Sequence, residues 1–223
     1  SKNRRRIFIQ YTLHKFRGKF VKENGYFISF EGIDGSGKST QIQELSKFLK
    51  ELDFNVLVTR EPGGSAGGEE IRNLLLQGDV DRWSAETEVL LFMAARRDHL
   101  ERIILPALND GKIVICDRFT DSTRMYQGLR GPKLRNLVDL INDNVIRCDP
   151  DLTILIDIDP EISHQRAKSR KIAEERFEDF GVDLQRQMRA GFISLSKEFS
   201  NRIKVFNGQK SANKLAQEIC SLV

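Results

Sequence analysis

Five short segments of the chain are nearly continuous runs of apolar residues, and each is followed directly by a polar or charged residue. Runs that are apolar on both faces are typical of strands in a parallel sheet that is covered by helices on both sides. We therefore predict five parallel strands. They cover Tyr26–Phe30, Asn55–Thr59, Lys112–Cys116, Asp151–Ile158 and Ile203–Phe206.

Between these runs, apolar residues recur at helical spacing. Ile42, Leu45 and Leu49 fall on one face of a predicted helix over Lys38–Leu52, and a longer helix over 85–109 is ended by Gly111. Alternating strands and helices are typical of a doubly wound, three-layer α/β domain, here with a central five-stranded parallel sheet. Further helices are predicted near 133–145, 161–170, 177–199 and 211–222.

Length and composition exclude several classes of protein. The chain has 223 residues, 39% of them hydrophobic and 30% charged, which fits one α/β domain and excludes collagenous, disordered and disulfide-scaffold proteins. Apolar runs stay far below the roughly 18 residues that a membrane span needs, so no membrane partner is expected. Three cysteines without a CxxC pair favour a reducing compartment, and we expect a cytoplasmic protein.

The net charge of +4 comes from the N-terminus of the chain. Residues 1–22 hold eight Lys or Arg and no acid, and the remainder holds 28 bases and 32 acids. We therefore interpret 1–24 as a basic, loosely ordered extension and 25–223 as the functional domain. No specific nucleic-acid partner is expected for the domain, although an RNA-binding arm stays open as an alternative.

The strongest chemical signal is the run from Gly32 to Ser39, which matches GxxxxGK[ST] between a predicted strand and a predicted helix. Backbone N–H groups around Gly35 and Gly37 can surround a polyphosphate, Lys38 can reach its β- and γ-phosphates, and Ser39 can bind Mg²⁺. A fortuitous glycine turn is the weaker alternative. The predicted ATP phosphate-binding residues are Gly32, Asp34, Gly35, Ser36, Gly37, Lys38, Ser39 and Thr40.

The residues after the third predicted strand narrow the class of nucleotide-binding protein. A motor or pump would normally carry an Asp-Glu pair there, but Asp117 is followed by Arg118. Asp117 can join Ser39 as a metal-binding residue, and Arg118 suggests a second anion. Because no Asn-Lys-x-Asp element for guanine is present, the chain resembles a kinase with two phosphate-bearing substrates more than a GTPase.

A second group of residues could bind the acceptor. Arg60 ends the second strand, Phe92 and Arg96 share one helix face, and Tyr126 and Gln127 follow Arg118 shortly along the chain. Ligands of parallel sheets collect beyond the carboxyl ends of the strands, where Arg60 and Arg118 fall. Taken alone, Phe92 is more often a core residue and Arg96 a solvated charge, so the prediction depends on their convergence.

Taken together, these motifs are similar to those of the thymidylate kinase family over almost all of 26–222. They stand in the same order and spacing as that family's signatures. The motifs are Phe30-Glu31-Gly32-Ile33-Asp34-Gly35-Ser36-Gly37-Lys38-Ser39-Thr40, Thr59-Arg60-Glu61-Pro62-Gly63-Gly64, Leu91-Phe92-Met93-Ala94-Ala95-Arg96, Asp117-Arg118-Phe119 with Ser122, Tyr126-Gln127-Gly128, and Pro150-Asp151-Leu152-Thr153.

The resemblance implies Mg²⁺-dependent transfer of the γ-phosphate of ATP to dTMP by a homodimer. It implies that Asp34 bonds the sugar 3′-hydroxyl, that Phe92 stacks on thymine and that Arg96 reaches a pyrimidine carbonyl. Tyr126 would disfavour ribose, and Glu61-Pro62 is sometimes cis in the family. The dTMP-binding residues implied are Asp34, Arg60, Phe92, Arg96, Arg118, Thr123, Tyr126 and Gln127.

The resemblance also suggests the source of the arginine that stabilises the departing phosphoryl group. Some family members place it in the phosphate loop, where this chain has Gly35, and others place it in a lid, here about 165–178. We expect the lid type, with Arg166 and Arg170 joining Lys38 and Arg118 as catalytic residues. A solvated basic face is the alternative reading of these lid residues, and another small-acceptor kinase or a non-enzymatic nucleotide- or RNA-binding protein is the alternative function.

Overall fold

The computed structural model describes residues 25–79, 81–168 and 182–223. Its centre is a five-stranded parallel sheet in the order β2-β3-β1-β4-β5, which confirms the predicted fold class. The buried strands are apolar on both faces, as expected for a sheet between two helical layers. The strands are β1 (Tyr26–Glu31), β2 (Val56–Arg60), β3 (Ile113–Asp117), β4 (Leu152–Asp157) and β5 (Ile203–Asn207).

In the described part of the chain each predicted helix has a counterpart, and two further helices were not predicted. These two are α2, which Ser65 caps by accepting the backbone N–H of Gly68, and the short α5. The pattern over 85–109 forms one helical stretch, with a π-helical turn at Leu100–Ile104. The helices are α1 (Lys38–Glu51), α2 (Ala66–Leu76), α3 (Ala85–His99), α4 (Leu105–Asn109), α5 (Thr120–Tyr126), α6 (Pro132–Ile141), α7 (Pro160–Lys168), α8 (Val182–Glu198) and α9 (Ala212–Leu222).

Three apolar clusters hold the layers together, one of them around Phe192 and Leu195 of α8. On one face of the sheet, Leu45 and Leu49 of α1 and Ile219 of α9 pack against β1, β3 and β4. On the other face, Val89 of α3 and Val138 of α6 pack against β1 and β3. The central strands β1, β3 and β4 are therefore covered on both faces, and the charged side chains that they carry lie at their carboxyl ends.

Strand pairing decides which polar residues meet. In the parallel register Phe30 of β1 and Arg60 of β2 each pair with Asp117 of β3. The loops that follow these three strands therefore leave the same edge of the sheet side by side. This edge is where an open α/β sheet forms its ligand crevice.

Candidate active site

The loop between β1 and α1 has the backbone of a phosphate-binding loop. Gly35 and Gly37 have φ values of 75° and 99°, which L-residues with side chains rarely adopt. Gly37 is the N-cap of α1, so the first N–H groups of that helix face the end of the loop. The loop can surround an anion with main-chain donors, as the sequence predicts.

Lys38 is folded back onto this loop. Its Nζ donates to the carbonyl oxygens of Gly32 and Ile33 at 3.0 and 3.1 Å. Burial and then the neighbouring Arg118 lower the pKa of Lys38 to about 8, although the carboxylates of Asp117, Asp34 and Glu31 act in the opposite direction. An incoming polyphosphate would replace the two carbonyls and favour the charged ammonium.

Asp117 and Ser39 form the oxygen-rich part of the site. The Ser39 hydroxyl donates to Asp117 Oδ2 at 3.3 Å, and Asp117 Oδ1 is buried without a hydrogen-bond partner among the described residues. A buried carboxylate oxygen that lacks a donor is suited to bind a cation. A carboxylate beside a hydroxyl therefore fits the pair of metal-binding residues that the sequence predicts.

Arg118 is held at the centre of the cavity. Its φ of 68° is unusual for a residue other than glycine, and its Nη1 donates to Gly32 O at 3.1 Å and to Ser122 Oγ at 3.0 Å. Its Nη2 donates to Asp34 Oδ1, and its guanidinium lies 5.1 Å from the centre of the Tyr126 ring. Burial opposes the charge of Arg118, but Tyr126, Asp34 and other acids hold its pKa above the ordinary value.

Glu31, at the end of β1, fixes the turn that carries Arg118. Its two carboxylate oxygens accept the backbone N–H of Phe119 at 2.7 Å and the hydroxyl of Ser122 at 2.6 Å. Burial and then the nearby Asp121 raise the pKa of Glu31 to about 7. Glu31 is thus linked to Arg118 through Ser122, although sequence reasoning assigned it no role.

Asp34 and Tyr126 form one wall of the acceptor side. The Tyr126 hydroxyl donates to Asp34 Oδ2 at 2.9 Å. Burial alone would raise the pKa of Asp34, but Arg118, Lys38 and the Tyr126 hydroxyl lower it below its ordinary value. Asp34 is therefore an anionic acceptor that can take a hydrogen bond from a substrate hydroxyl.

A second wall comes from α3 and α5. Phe92 and Arg96, one turn apart on α3, both line the cavity, and Arg96 Nη2 donates to Thr123 Oγ1 at 3.0 Å. Both amide atoms of Gln127 are buried without a hydrogen-bond partner among the described residues. An unsatisfied buried amide that borders a cavity is suited to bind a polar ligand.

Arg60 lies at the open side of the cavity and pairs with a residue that the sequence analysis did not use. Its Nη2 is 3.0 and 3.1 Å from the two carboxylate oxygens of Glu69 on α2. Arg72, also on α2, lines the same cavity and donates to Pro62 O at 2.7 Å. Ser65, which caps the start of α2, was an available sequence signal for this helix. A helix predicted there would have made Arg72 a candidate residue.

These groups surround one cavity of about 340 Å³, within the usual size of a small-molecule site. Among the predicted residues, Gly32, Ser36 and Thr40 do not line it, although the Gly32 carbonyl binds Lys38 and Arg118. The Arg166 side chain and the whole of Arg170 lie outside the described residues. The predicted residues that do line the cavity are Asp34, Gly35, Gly37, Lys38, Ser39, Arg60, Phe92, Arg96, Asp117, Arg118, Thr123, Tyr126 and Gln127.

Two buried residues were missed as functional candidates, Glu61, which lines the cavity, and His99, which does not. Glu61, whose peptide bond to Pro62 is cis, binds Arg96, and His99 in turn binds Glu61. The available signals were an acid directly after a strand, and His99 one turn after Arg96 on the same helix. Neither of these sequence features indicates that the side chains of Glu61 and His99 are in contact.

Comparison with known proteins gives a consistent result. A family model described as thymidylate kinase matches residues 30–219. The thymidylate kinase of Ruegeria pomeroyi is 57% identical over 199 residues, which are 89% of this chain and 94% of that protein. The thymidylate kinase of Caulobacter vibrioides is 44% identical over 200 residues, which are 89% of this chain and 96% of that protein.

A solved structure is also similar. The crystal structure of thymidylate kinase from Ehrlichia chaffeensis superposes with a TM-score of 0.71 at 36% sequence identity. The match covers 89% of this chain and 98% of that chain. The residues that the family model matches, 30–219, include every strand end that borders the cavity.

Proposed function

The chain belongs to the thymidylate kinase family, and from that premise we propose how its residues divide the work of the reaction. The protein is an ATP-dependent enzyme that transfers the γ-phosphate of ATP to dTMP, giving dTDP and ADP, as the sequence predicts. The observation that carries the assignment of residues is that the phosphate-binding loop and the predicted acceptor residues border one cavity.

On the donor side, the loop over 32–39 and Lys38 bind the polyphosphate of ATP. Phosphoryl transfer requires little covalent chemistry from the protein, so positioning and charge neutralisation account for most of its catalysis. Lys38 contributes a positive charge, and its hydrogen-bond partners among the described residues are the carbonyl oxygens of Gly32 and Ile33. Ligand binding can replace these carbonyls with phosphate oxygens.

On the acceptor side, Arg118 and Arg60 bind the phosphate of dTMP, and Asp34 accepts the 3′-hydroxyl. Phe92 stacks on thymine, and Arg96, Thr123 and Gln127 bind its polar edge. Tyr126 crowds the position that a 2′-hydroxyl would take. Supporting this division, the planar donors of Arg118 suit a phosphate, while the aromatic and amide groups on the other wall suit a base.

The most direct experiment is a coupled assay of ADP formation with dTMP, dUMP, UMP, CMP and GMP as acceptors. We expect dTMP to be preferred and the ribonucleotides to react poorly. Equal activity on ribonucleotides would remove the role of Tyr126. No ADP formation with dTMP, together with RNA affinity that depends on residues 1–24, would instead support a non-enzymatic protein.

The lid arginines remain our assignment for the charge on the departing group. The support is steric: a Cβ at Gly35 would lie 2.5 Å from the Ser163 carbonyl oxygen of α7, so the phosphate loop has no room for an arginine there. The proposed lid, about 165–178, begins within the last turn of α7. We expect Arg166→Ala or Arg170→Ala to lower kcat while the KM for dTMP stays nearly constant, and if both variants keep wild-type kcat this assignment is wrong.

We assign the metal of the reaction to Ser39 and Asp117. Mg²⁺ prefers oxygen ligands, often one carboxylate together with substrate phosphates, and Asp117 Oδ1 has no other partner among the described residues. The ion would neutralise charge on the phosphates that take part in the transfer.

Replacing the carboxylate with an amide tests this metal assignment. We expect Asp117→Asn to require about tenfold or more Mg²⁺ for half-maximal activity, because the ion loses its only charged protein ligand. Asp110→Asn, which changes an exposed acid paired with Lys112 outside the cavity, is the control. An unchanged Mg²⁺ requirement for Asp117→Asn would contradict the assignment.

We propose that the protein is a homodimer that uses the outer face of α3 and α6. Three large apolar side chains on or beside these helices, Leu90, Leu140 and Val145, are 55%, 61% and 47% exposed. Exposed apolar residues that cluster on one face are typical of an interface.

Sedimentation velocity tests the interface. Leu90→Asp should shift the protein from dimer to monomer, because it places a charge in an apolar contact. Val205→Asp changes a similarly exposed residue on β5 and should leave the dimer intact. A wild-type protein that sediments as a monomer at micromolar concentration would overturn the proposal.

We also propose a cytoplasmic location. Cys116, Cys148 and Cys220 are all free thiols, which is typical of a reducing compartment. None of the described helices has the length and apolar character needed to cross a bilayer. Recovery of the protein outside the cytoplasmic fraction of its cell would contradict this location.

A further inference from the structure

A chain of buried hydrogen-bonding residues lies along the proposed thymine side of the cavity, which Glu61, Arg96 and Thr123 line. It begins at Thr59 on β2, passes through His99 and Arg96 on α3, and ends at Thr123 on α5, with Glu61 at its centre. Its heavy-atom distances run from 2.7 to 3.1 Å. The chain joins three separate elements, so it can fix their side chains relative to one another.

Arg96 depends on this chain for its orientation. Its side chain is 2% exposed, and its Nε donates to Glu61 Oε2 at 2.7 Å. Among the described residues, Glu61 is the one carboxylate that forms an ion pair with Arg96. A buried guanidinium needs such a partner, since an uncompensated charge in the interior is strongly unfavourable.

Glu61 is itself held from the other side. Its Oε1 lies 3.1 Å from Nδ1 of His99, and Nε2 of His99 lies 2.7 Å from Thr59 Oγ1. His99 is fully buried, and a Cβ at Gly64 would lie only 2.4 Å from its Nε2. The imidazole ring therefore has little freedom to turn, and neither has the carboxylate that it contacts.

The same cluster has the composition of a metal site, but its contacts indicate another role. Ligand atoms of Glu61, His99 and Cys116 lie within 4.8 Å of one another. Both ring nitrogens of His99 have partners, however, and the cation of Arg96 already occupies Glu61. The cluster is satisfied by hydrogen bonds and by its own internal positive charge.

We propose that Glu61, oriented by His99, is a positioning residue that holds the Arg96 guanidinium against the thymine edge of the acceptor. This inference rests on the proposed contact between Arg96 and a pyrimidine carbonyl. Glu61 borders the cavity, but its two carboxylate oxygens are bound by Arg96 and His99, so it contacts neither substrate in this scheme. It acts through Arg96, whose Nη2 is kept on Thr123 at the cavity wall.

The proposal further places Arg96 at the carbonyl on C4, because C2 carries a carbonyl in all three pyrimidines and only C4 can distinguish these bases. Uracil and thymine present a carbonyl oxygen there, whereas cytosine presents an amino group that cannot accept from a guanidinium. A guanidinium fixed in place donates a hydrogen bond to the carbonyl oxygen, whereas the amino group finds no acceptor there. A guanidinium free to turn away loses that preference.

The test uses Glu61→Gln, which keeps the size of the side chain and removes its charge. Steady-state kinetics with dTMP, dUMP and dCMP separate the effect of the base edge from that of the methyl group, because dUMP and dCMP both lack the methyl. Misplacement of one positioning group can cost about 100-fold. We therefore expect kcat/KM for dTMP to fall by about 10- to 100-fold, mainly through a higher KM. The ratio of kcat/KM for dUMP to that for dCMP should become smaller, and the KM for ATP should not change.

Glu88→Gln is the matched control. Glu88 is also a buried acid, 2% exposed, and it lies on the same helix as Arg96. It pairs with Arg130 at 2.8 Å and does not line the cavity. It should lose stability without a change in acceptor preference. If Glu61→Gln does not fold, His99→Leu is the second variant, because it removes one of the two side chains that bind Glu61. It should narrow the preference for dUMP over dCMP to a smaller extent.

Arg96→Leu separates the contact of Arg96 with the base from the positioning of Arg96 by Glu61. The double variant Arg96→Leu with Glu61→Gln should lose no more of the preference for dUMP over dCMP than Arg96→Leu alone. If Arg96→Leu loses the preference while Glu61→Gln and His99→Leu keep it, the positioning role is wrong and the contact of Arg96 with the base stands. If Arg96→Leu keeps the preference, both the contact of Arg96 with the base and the positioning role of Glu61 are wrong. A loss of stability in Glu61→Gln with normal KM and preference also overturns the positioning role.

Discussion

Lys38→Ala is expected to lower kcat by about 1,000-fold or more, because most of the catalysis of phosphoryl transfer comes from positioning and charge stabilisation. Lys38 is the cationic residue of the phosphate-binding loop, and its Nζ binds two loop carbonyls that a phosphate can replace. Its loss removes a charge that neutralises the transferring group. Rates of ADP formation at saturating ATP and dTMP measure this effect.

The pKa of Lys38 provides an independent readout. Burial and Arg118 hold this pKa at about 8 before nucleotide binds, and polyphosphate will raise it. ATP binding should therefore take up a proton above about pH 8, where the free amine predominates, and almost none at pH 7. Calorimetry in two buffers of different ionisation enthalpy measures this uptake.

Lys47→Ala, at an exposed position on α1, is the control for both measurements. It should keep the wild-type rate and the wild-type proton uptake. Lys38→Ala should lose both together. If Lys38→Ala still takes up a proton on binding ATP at pH 9, another group is responsible, and near-normal turnover in this variant would remove Lys38 from the catalytic residues.

Arg118→Ala is expected to lower kcat/KM for dTMP by a similar factor, about 1,000-fold or more, since a group of this kind stabilises the phosphates in the transition state. The guanidinium lies where the phosphate-binding loop, Asp34 and Tyr126 converge. The change removes a planar donor that can bind two phosphate oxygens at once. It also removes the ion pair between Arg118 and Asp34.

Two further variants at this position separate charge from geometry. Arg118→Lys keeps the charge without the paired donors and should recover only part of the activity. Arg118→Gly tolerates the φ of 68° better than Ala, so it should unfold at a temperature closer to wild type while remaining as inactive as Arg118→Ala.

Arg186→Ala is the control, because Arg186 pairs with Glu161 and Asp183 at the protein surface and is absent from the cavity lining. Equilibrium binding of dTMP complements the kinetics. Wild-type acceptor affinity and rate in Arg118→Ala would show that this arginine does not bind the acceptor phosphate.

The structure also accounts for the errors in the sequence-based prediction. The helix α2 was missed because Gly67 and Gly68 break its apolar pattern near its start, and α5 was missed because most of its seven residues are polar. Those polar side chains are nonetheless buried, because Asp121 binds Arg124 and Arg202 inside the protein. Tertiary ion pairs replaced the apolar face that periodicity can detect.

The sequence by itself determined the layered α/β fold, the phosphate-binding loop and the family, because apolar periodicity and a contiguous motif are local properties of a chain. Only the tertiary structure brought Glu31 to Ser122, Asp34 to Tyr126, and Glu61 between Arg96 and His99. These pairs are separated by 35 to 92 positions. Their meeting depends on strand order and register, which place distant strand ends at one edge of the sheet.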